Sequence, residues 1–242
     1  MTPSRQSRRD EFAEKGFLIV PGLFRKEEVK TIKTQIQTVL DEVRREAIDA
    51  GRDPEKVINH GVYVGLAVHS SFFRQAVCDE RLVSLMEAAI GPNVEFISDK
   101  VVFKSHDQDY GTPWHQDWSY WYGSHKVTAW VALDDATPDN GCLRLVPGSH
   151  RMAVNHEGDA SDGKGFVHRL DANAVDENQV VTATMEAGGV VVFHDLLLHA
   201  SYQNVSGRDR WCWLPTYRDA RAEDPEYAWA QAATVVRGSK SA

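Results

Sequence analysis

The texture of the chain changes at Gly91-Pro92. Before that point apolar residues return every three or four positions. After it they come in short runs rich in Val, Phe, Trp and Thr, cut by Gly, Pro, Asp and Asn. The first spacing belongs to amphipathic helices and the second to strands. Strands are expected near 94–98, 100–105, 113–118, 126–133, 143–146, 181–185, 189–193, 196–203 and 210–217. Helices first and many strands later restrict the architecture to an α+β, mainly β domain built around a sandwich or barrel.

Within the helical part, 10–16 reads as a short amphipathic helix stopped by Gly16, and Phe17 to Val20 as a buried strand. The longest helical pattern runs from Lys26 to about Ala50, with Val29, Ile32, Ile36, Val39, Leu40 and Val43 on one face. Residues 52–70 are irregular, and 71–89 reads as a pair of helices. Residues 1–9 are polar and basic and read as a flexible tail. The polar segment 151–180, with Gly158, Gly163 and Gly165, is too long for an ordinary connection and reads as a candidate lid. All 242 residues are assigned to a single domain.

Charge and cysteine usage exclude several function classes. The net charge is −8 and the basic residues are scattered, which argues against a nucleic-acid partner. No run approaches the ~18 apolar residues of a membrane span, and no apolar stretch follows the N-terminus as a secretory signal requires. The three cysteines, Cys78, Cys142 and Cys212, fit reduced thiols in a cytoplasm better than a disulfide framework. The expected partner is a small-molecule substrate; the oligomeric state is left open.

The chemistry centres on Trp114-His115-Gln116-Asp117-Trp118. In an extended strand, side chains two apart share a face, so His115 and Asp117 point together and Gln116 turns away. His199 closes an apolar run that begins at Gly188-Gly189, and a histidine embedded there needs a partner or a metal. Two histidines and one carboxylate on one side of an iron leave positions open, the facial triad of non-haem Fe(II) oxygenases. Eleven residues beyond His199, Arg210 opens the apolar run Trp211-Cys212-Trp213-Leu214. A guanidinium there asks for a carboxylate, which it grips with two parallel bonds.

In this order the motifs resemble the phytanoyl-CoA dioxygenase family of Fe(II)/2-oxoglutarate-dependent oxygenases. Gly16-Phe17-Leu18-Ile19-Val20-Pro21-Gly22-Leu23-Phe24, Trp130 to Asp135, Asn140-Gly141-Cys142-Leu143 and Pro147-Gly148-Ser149-His150 add to it, so that it spans about residues 10–220. The resemblance implies a double-stranded β-helix, or jelly roll, with flanking N-terminal helices. It implies that His115, Asp117 and His199 hold Fe(II), and that Arg210 anchors the far carboxylate of 2-oxoglutarate. Lys100 and Thr128 are carried over as further donors to that cosubstrate. O2 is the second cosubstrate, and succinate and CO2 are the by-products. Asp117 stands where halogenating relatives carry a small residue, so halogenation is disfavoured; hydroxylation of a C–H bond is the expected reaction, with desaturation, ring closure and epimerisation left open.

Competing readings attach to several of these residues. Arg208 competes with Arg210 for the clamp. His106 and Asp107 read as a solvated loop, His150 as a loop residue, and His194-Asp195 as a turn. Trp118, Tyr120 and Trp121 are candidate walls of the substrate pocket, since Trp and Tyr are good amphipathic walls. A cupin-like metal enzyme without 2-oxoglutarate, or a non-catalytic small-molecule binding module, remains as an alternative. A buried Arg210 and an intact triad speak against each in turn.

Overall fold

A computed structural model describes residues 3–58, 61–106, 111–154, 168–170 and 175–240. In chain order the helices and strands are α1 (Arg5–Lys15), β1 (Phe17–Val20), α2 (Lys26–Asp49), β2 (Val62–Val64), α3 (Leu66–His69), α4 (Ser71–Ala76) and α5 (Glu80–Ile90). Then follow β3 (Val94–Lys104), β4 (Lys126–Ala132), β5 (Leu143–Leu145), β6 (Val181–Ala183), β7 (Val190–His194), β8 (His199–Ser201), β9 (Arg210–Asp219) and β10 (Thr234–Arg237).

Two sheets form the jelly roll. The larger has the order β1-β7-β4-β9-β3-β10, with β2 also on β3; the smaller has the order β6-β5-β8. Strand β4 is buried at every position because both faces of the larger sheet are covered. Val127, Ala129 and Val131 pack outward into a cluster with Ile32, Ile36 and Leu85 of the helices. Trp130 and Ala132 pack inward with Leu143 and Leu145 of the smaller sheet. The three- and four-residue spacing of α2 thus supplies one wall of the core; Ile36, fully buried, is worth ~2–5 kcal/mol against Ala.

One irregularity decides what faces the interior. In the pairing of β3 with β9, Phe96 lies opposite Tyr217 and Ser98 opposite Thr216, so Ile97 is an extra residue. This β-bulge reverses the alternation of the strand. Val94 and Phe96 face the helices before it. Beyond it Asp99 faces the helical side, accepting from Ala67 N at 2.9 Å and Trp213 Nε1 at 3.0 Å. Lys100, Val102 and Lys104 therefore look inward, where they line a cavity.

The structure corrects several sequence expectations. Helix α1 begins at Arg5, with the Ser4 hydroxyl capping Ser7 N, so Arg5 to Arg9 are helical and not a loose tail. The expected strand at 113–118 is reduced to a single bridge at His115, followed by a 3-10 turn over Asp117–Tyr120. Strands β2 and β10 were hidden by their shortness. Most of the expected lid, 155–167 and 171–174, lies outside the described residues. Its described portion packs beside the site: Leu170 N donates to Trp114 O at 2.8 Å and Tyr120 Oη to His168 O at 3.3 Å.

Candidate metal centre and its cavity

The smaller sheet brings the expected ligands together. His199 opens β8, and His115 pairs with it from outside the sheet, each backbone N–H donating to the other's carbonyl at 3.0 and 3.1 Å. The two rings lie with centroids 4.1 Å apart. Asp117 turns into the same space at the start of the 3-10 turn. Its Oδ1 is 3.4 Å from His115 Nε2 and 3.9 Å from His199 Nε2.

The donor chemistry fits a divalent metal. His115 Nδ1 lies 2.8 Å from Pro113 O, and His199 Nδ1 lies 2.9 Å from Leu197 O. A carbonyl can only accept, so both Nδ1 atoms carry the proton. Both Nε2 atoms then face Asp117 Oδ1 across the space a metal would fill, an orientation set by outer hydrogen bonds as in metal-ligating histidines generally. Burial and the neighbouring His115 push His199 down to about 4, so its ring is neutral at pH 7. Burial pushes the Asp117 carboxyl up, but the Lys100 cation and the two histidines facing it outweigh it and hold Asp117 well below the usual carboxylate range. The three side chains are all buried, and their ligand atoms lie within 4.8 Å of one another.

Gln116, between the two ligands, turns away as expected and is fully used. Its Nε2 donates to Met152 O at 2.9 Å and Leu196 O at 2.7 Å, and its Oε1 accepts from Val154 N at 2.9 Å. This ties the His115–Asp117 segment to two others.

The triad opens into a cavity of about 230 Å3. Arg210 stands in its wall, 2% exposed, while Arg208 is on the surface. Arg210 donates from Nε to Asn140 O at 3.3 Å, from Nη2 to Gly141 O at 2.7 Å and from Nη1 to Cys212 Sγ at 3.1 Å. One N–H on each terminal nitrogen keeps no partner among the described residues, an arrangement suited to a carboxylate. Gly141 is needed there: its φ is +88°, and a Cβ would lie 2.5 Å from Lys104 Cδ.

Lys104 was missed by sequence reasoning. It pairs with Arg210 across β3 and β9 and lines the same cavity, and burial with the Arg210 charge pushes it down to about 7. Only the strand register could have pointed to it. Ser201, two residues beyond His199 and on the same strand face, also lines the cavity.

The remaining expectations divide. Lys100, Tyr120 and Trp121 line the cavity. Thr128 does not; its hydroxyl lies 3.1 Å from Thr216 Oγ1. Trp118 also points elsewhere, donating to Gly123 O at 3.4 Å and packing edge-on to Tyr122. His106 pairs with Asp209 on the surface, while Asp107 lies outside the described residues. His194 ends β7, and Asp195 in the turn after it accepts from Trp121 Nε1 at 3.0 Å and Lys126 N at 2.9 Å.

Comparison with known proteins agrees with this geometry. Residues 12–212 match the profile of the phytanoyl-CoA dioxygenase (PhyH) family. Ectoine dioxygenase of Halomonas elongata is 26% identical over 94% of this chain and 79% of its own. L-proline trans-4-hydroxylase of Streptomyces griseoviridis is 27% identical over 85% of this chain and 83% of its own. The solved structure of the non-haem monooxygenase ThoJ shares the fold, with a TM-score of 0.76, 23% identity, and coverage of 96% of this chain and 84% of that one. The chain belongs to the phytanoyl-CoA dioxygenase family, non-haem Fe(II)/2-oxoglutarate-dependent dioxygenases.

Proposed function

We propose that this dioxygenase hydroxylates a C–H bond of a small organic molecule. The balanced reaction is R–H + 2-oxoglutarate + O2 giving R–OH + succinate + CO2. The observation that carries the reading is one cavity walled by a metal-competent His115–Asp117–His199 triad and by the buried Arg210. Bound by the triad, Fe(II) supplies O2 activation and C–H oxidation.

The chain's own residues do the rest. His115 and His199 would present their Nε2 atoms, and Asp117 a carboxylate, to the metal. Arg210 grips the distal carboxylate of 2-oxoglutarate, and Lys104 adds charge beside it. Trp130 underlies the guanidinium, with its ring centroid 5.2 Å from Arg210 Cζ. Phe193, Leu143 and Leu214 exclude water from the cavity. Two relatives named for ectoine and for L-proline support a small substrate. A cytoplasmic location belongs to the same reading, motivated by three free thiols, two of them buried. No helix among the described residues is long and apolar enough to cross a membrane.

The test is O2 consumption and oxidised-product formation by Fe(II)-loaded protein with and without 2-oxoglutarate, with succinate measured where 2-oxoglutarate is present. Turnover should need 2-oxoglutarate and should nearly vanish in Asp117→Ala. Product formation undiminished without 2-oxoglutarate would sink the reading in favour of a cupin-like enzyme.

A further inference from the structure

A second cavity, of about 310 Å3, adjoins the first and shares Lys100, Tyr120, Trp121 and Leu214 with it. It sits at the small end of ligand pockets, roughly 300–1,000 Å3. Two polar groups there are unclaimed. Ser98 is 6% exposed, and its hydroxyl has no hydrogen-bond partner. Lys100, half-buried, lines both cavities and makes no hydrogen bond or ion pair among the described residues. Both were turned inward by the bulge at Ile97. A buried hydroxyl with no partner, beside an ammonium that acts on Asp117 only through its field and makes no hydrogen bond or ion pair among the described residues, marks a place for an acceptor with negative charge.

The far wall comes from the segment after β9, beyond residue 212 where the family match ends. Trp229 lines the second cavity, with its ring centroid 6.0 Å from that of Trp121. It is stacked on Tyr227 at 4.7 Å. The segment is firmly held. Asp224 accepts from Lys126 Nζ at 2.9 Å, Ser124 Oγ at 2.7 Å and Arg218 Nη1 at 2.7 Å, and its side chain is fully buried. Strand β10 then pairs with β3.

We propose that the second cavity is the primary-substrate subsite and takes a small carboxylic acid with a ring-shaped body, for which Trp229 is a specificity-determining residue. The carboxylate meets Lys100 and the Ser98 hydroxyl, and the ring lies against Trp121 and Trp229. This rests on the reading above, in which Arg210 and Lys104 meet the distal carboxylate of 2-oxoglutarate, and it reassigns Lys100, expected from the resemblance to be a donor to that cosubstrate, to the other substrate. One ammonium and one hydroxyl suit a carboxylate; a phosphate dianion calls for more donors, as from arginine. Paired aromatic faces favour a flat or ring-shaped partner.

The experiment is anaerobic calorimetric titration of the Fe(II)–2-oxoglutarate protein with benzoate and with cyclohexanecarboxylate, each against its primary amide. The acids should bind roughly ten- to a hundredfold more tightly than the amides, the range for a hydrogen bond to a charged group. Lys100→Met should erase that preference and Lys100→Arg should keep it. Trp229→Ala should weaken both acids about tenfold, and Trp229→Phe should retain them. Equal binding of acid and amide, no binding of either, or acids indifferent to Lys100→Met and Trp229→Ala would overturn the proposal. The 2-oxoglutarate affinity of the wild-type protein, read first, separates the two failures. Without 2-oxoglutarate binding the proposed function itself falls; with it, only the subsite assignment does.

Discussion

His115 and His199 exchange both of their backbone hydrogen bonds, at 3.0 and 3.1 Å, although 84 residues separate them in the chain. Two of the three candidate ligands are therefore fixed to each other through the main chain before any metal binds. The third, Asp117, is positioned by the turn that follows. Such a frame orients ligands without relying on the metal to gather them.

Gln116 is the strut of that frame. Gln116→Leu leaves Val154 N and the carbonyls of Met152 and Leu196 without their partner. An unsatisfied buried group costs ~1–3 kcal/mol, and a domain of this size loses ~2–4 °C per kcal/mol. The melting temperature should fall by roughly 2–12 °C. An unchanged melting curve in calorimetry would show that the strut carries no load.

Arg210→Lys keeps the charge and loses the planar fork. Affinity for 2-oxoglutarate should fall roughly ten- to a hundredfold, while Fe(II) binding persists. Arg208→Lys, on the surface, should change neither. Equilibrium binding of 2-oxoglutarate to the three proteins decides, and a loss confined to the Arg208 variant would reassign the clamp.

Lys104 gives the site a pH signature. Burial and Arg210 push it down to about 7, against an unfolded value near 10.4. Between those values the unfolded chain holds the extra proton, so stability rises with pH across the window and is lost as pH falls toward 7. A dianion beside Lys104 favours the charged form. Binding of 2-oxoglutarate at pH 8 should therefore take up a proton, and affinity should decline as pH rises above about 7. Calorimetry in two buffers of different ionisation enthalpy measures the uptake, which Lys104→Met should remove.

Asp195 links a surface histidine to the pocket wall. It accepts from Trp121 Nε1, and its Oδ1 lies 3.1 Å from His125 Nδ1. The Asp195 hydrogen bond raises His125 above its usual value, against the opposing effect of burial. The stabilisation is complete below the unfolded value and is lost as pH rises through the folded one. Asp195→Asn keeps an oxygen for Trp121 Nε1 and Lys126 N but loses the charge facing His125, so the His125 midpoint, followed by NMR, should move down. A midpoint that stays put would mean that Asp195 does not govern His125.

The sequence determined the class of fold and the candidate ligand set. Apolar spacing showed α2, β4, β7 and β9 because each buries a continuous face, and that signal is local. His115, Asp117, His199 and Arg210 were legible because their residue types and order are unusual together. The expected geometry at His115-x-Asp117 was nonetheless different: a bridge and a 3-10 turn, not a strand, bring the two side chains together. Thr128 was expected beside Lys100, and Trp118 beside Tyr120 and Trp121, and tertiary contacts turned them elsewhere. What only the tertiary structure decided was which side chains share the cavity. One extra residue at Ile97 reverses the facing of Ser98, Lys100 and Lys104, and the register with β9 sets Lys104 opposite Arg210. Trp229 reaches the second cavity from a segment held by Asp224 and Lys126, 98 residues apart. Strand facing alternates with each residue, so one bulge or one long-range pairing reassigns every side chain beyond it. No window of local sequence contains the partner strand that makes that choice.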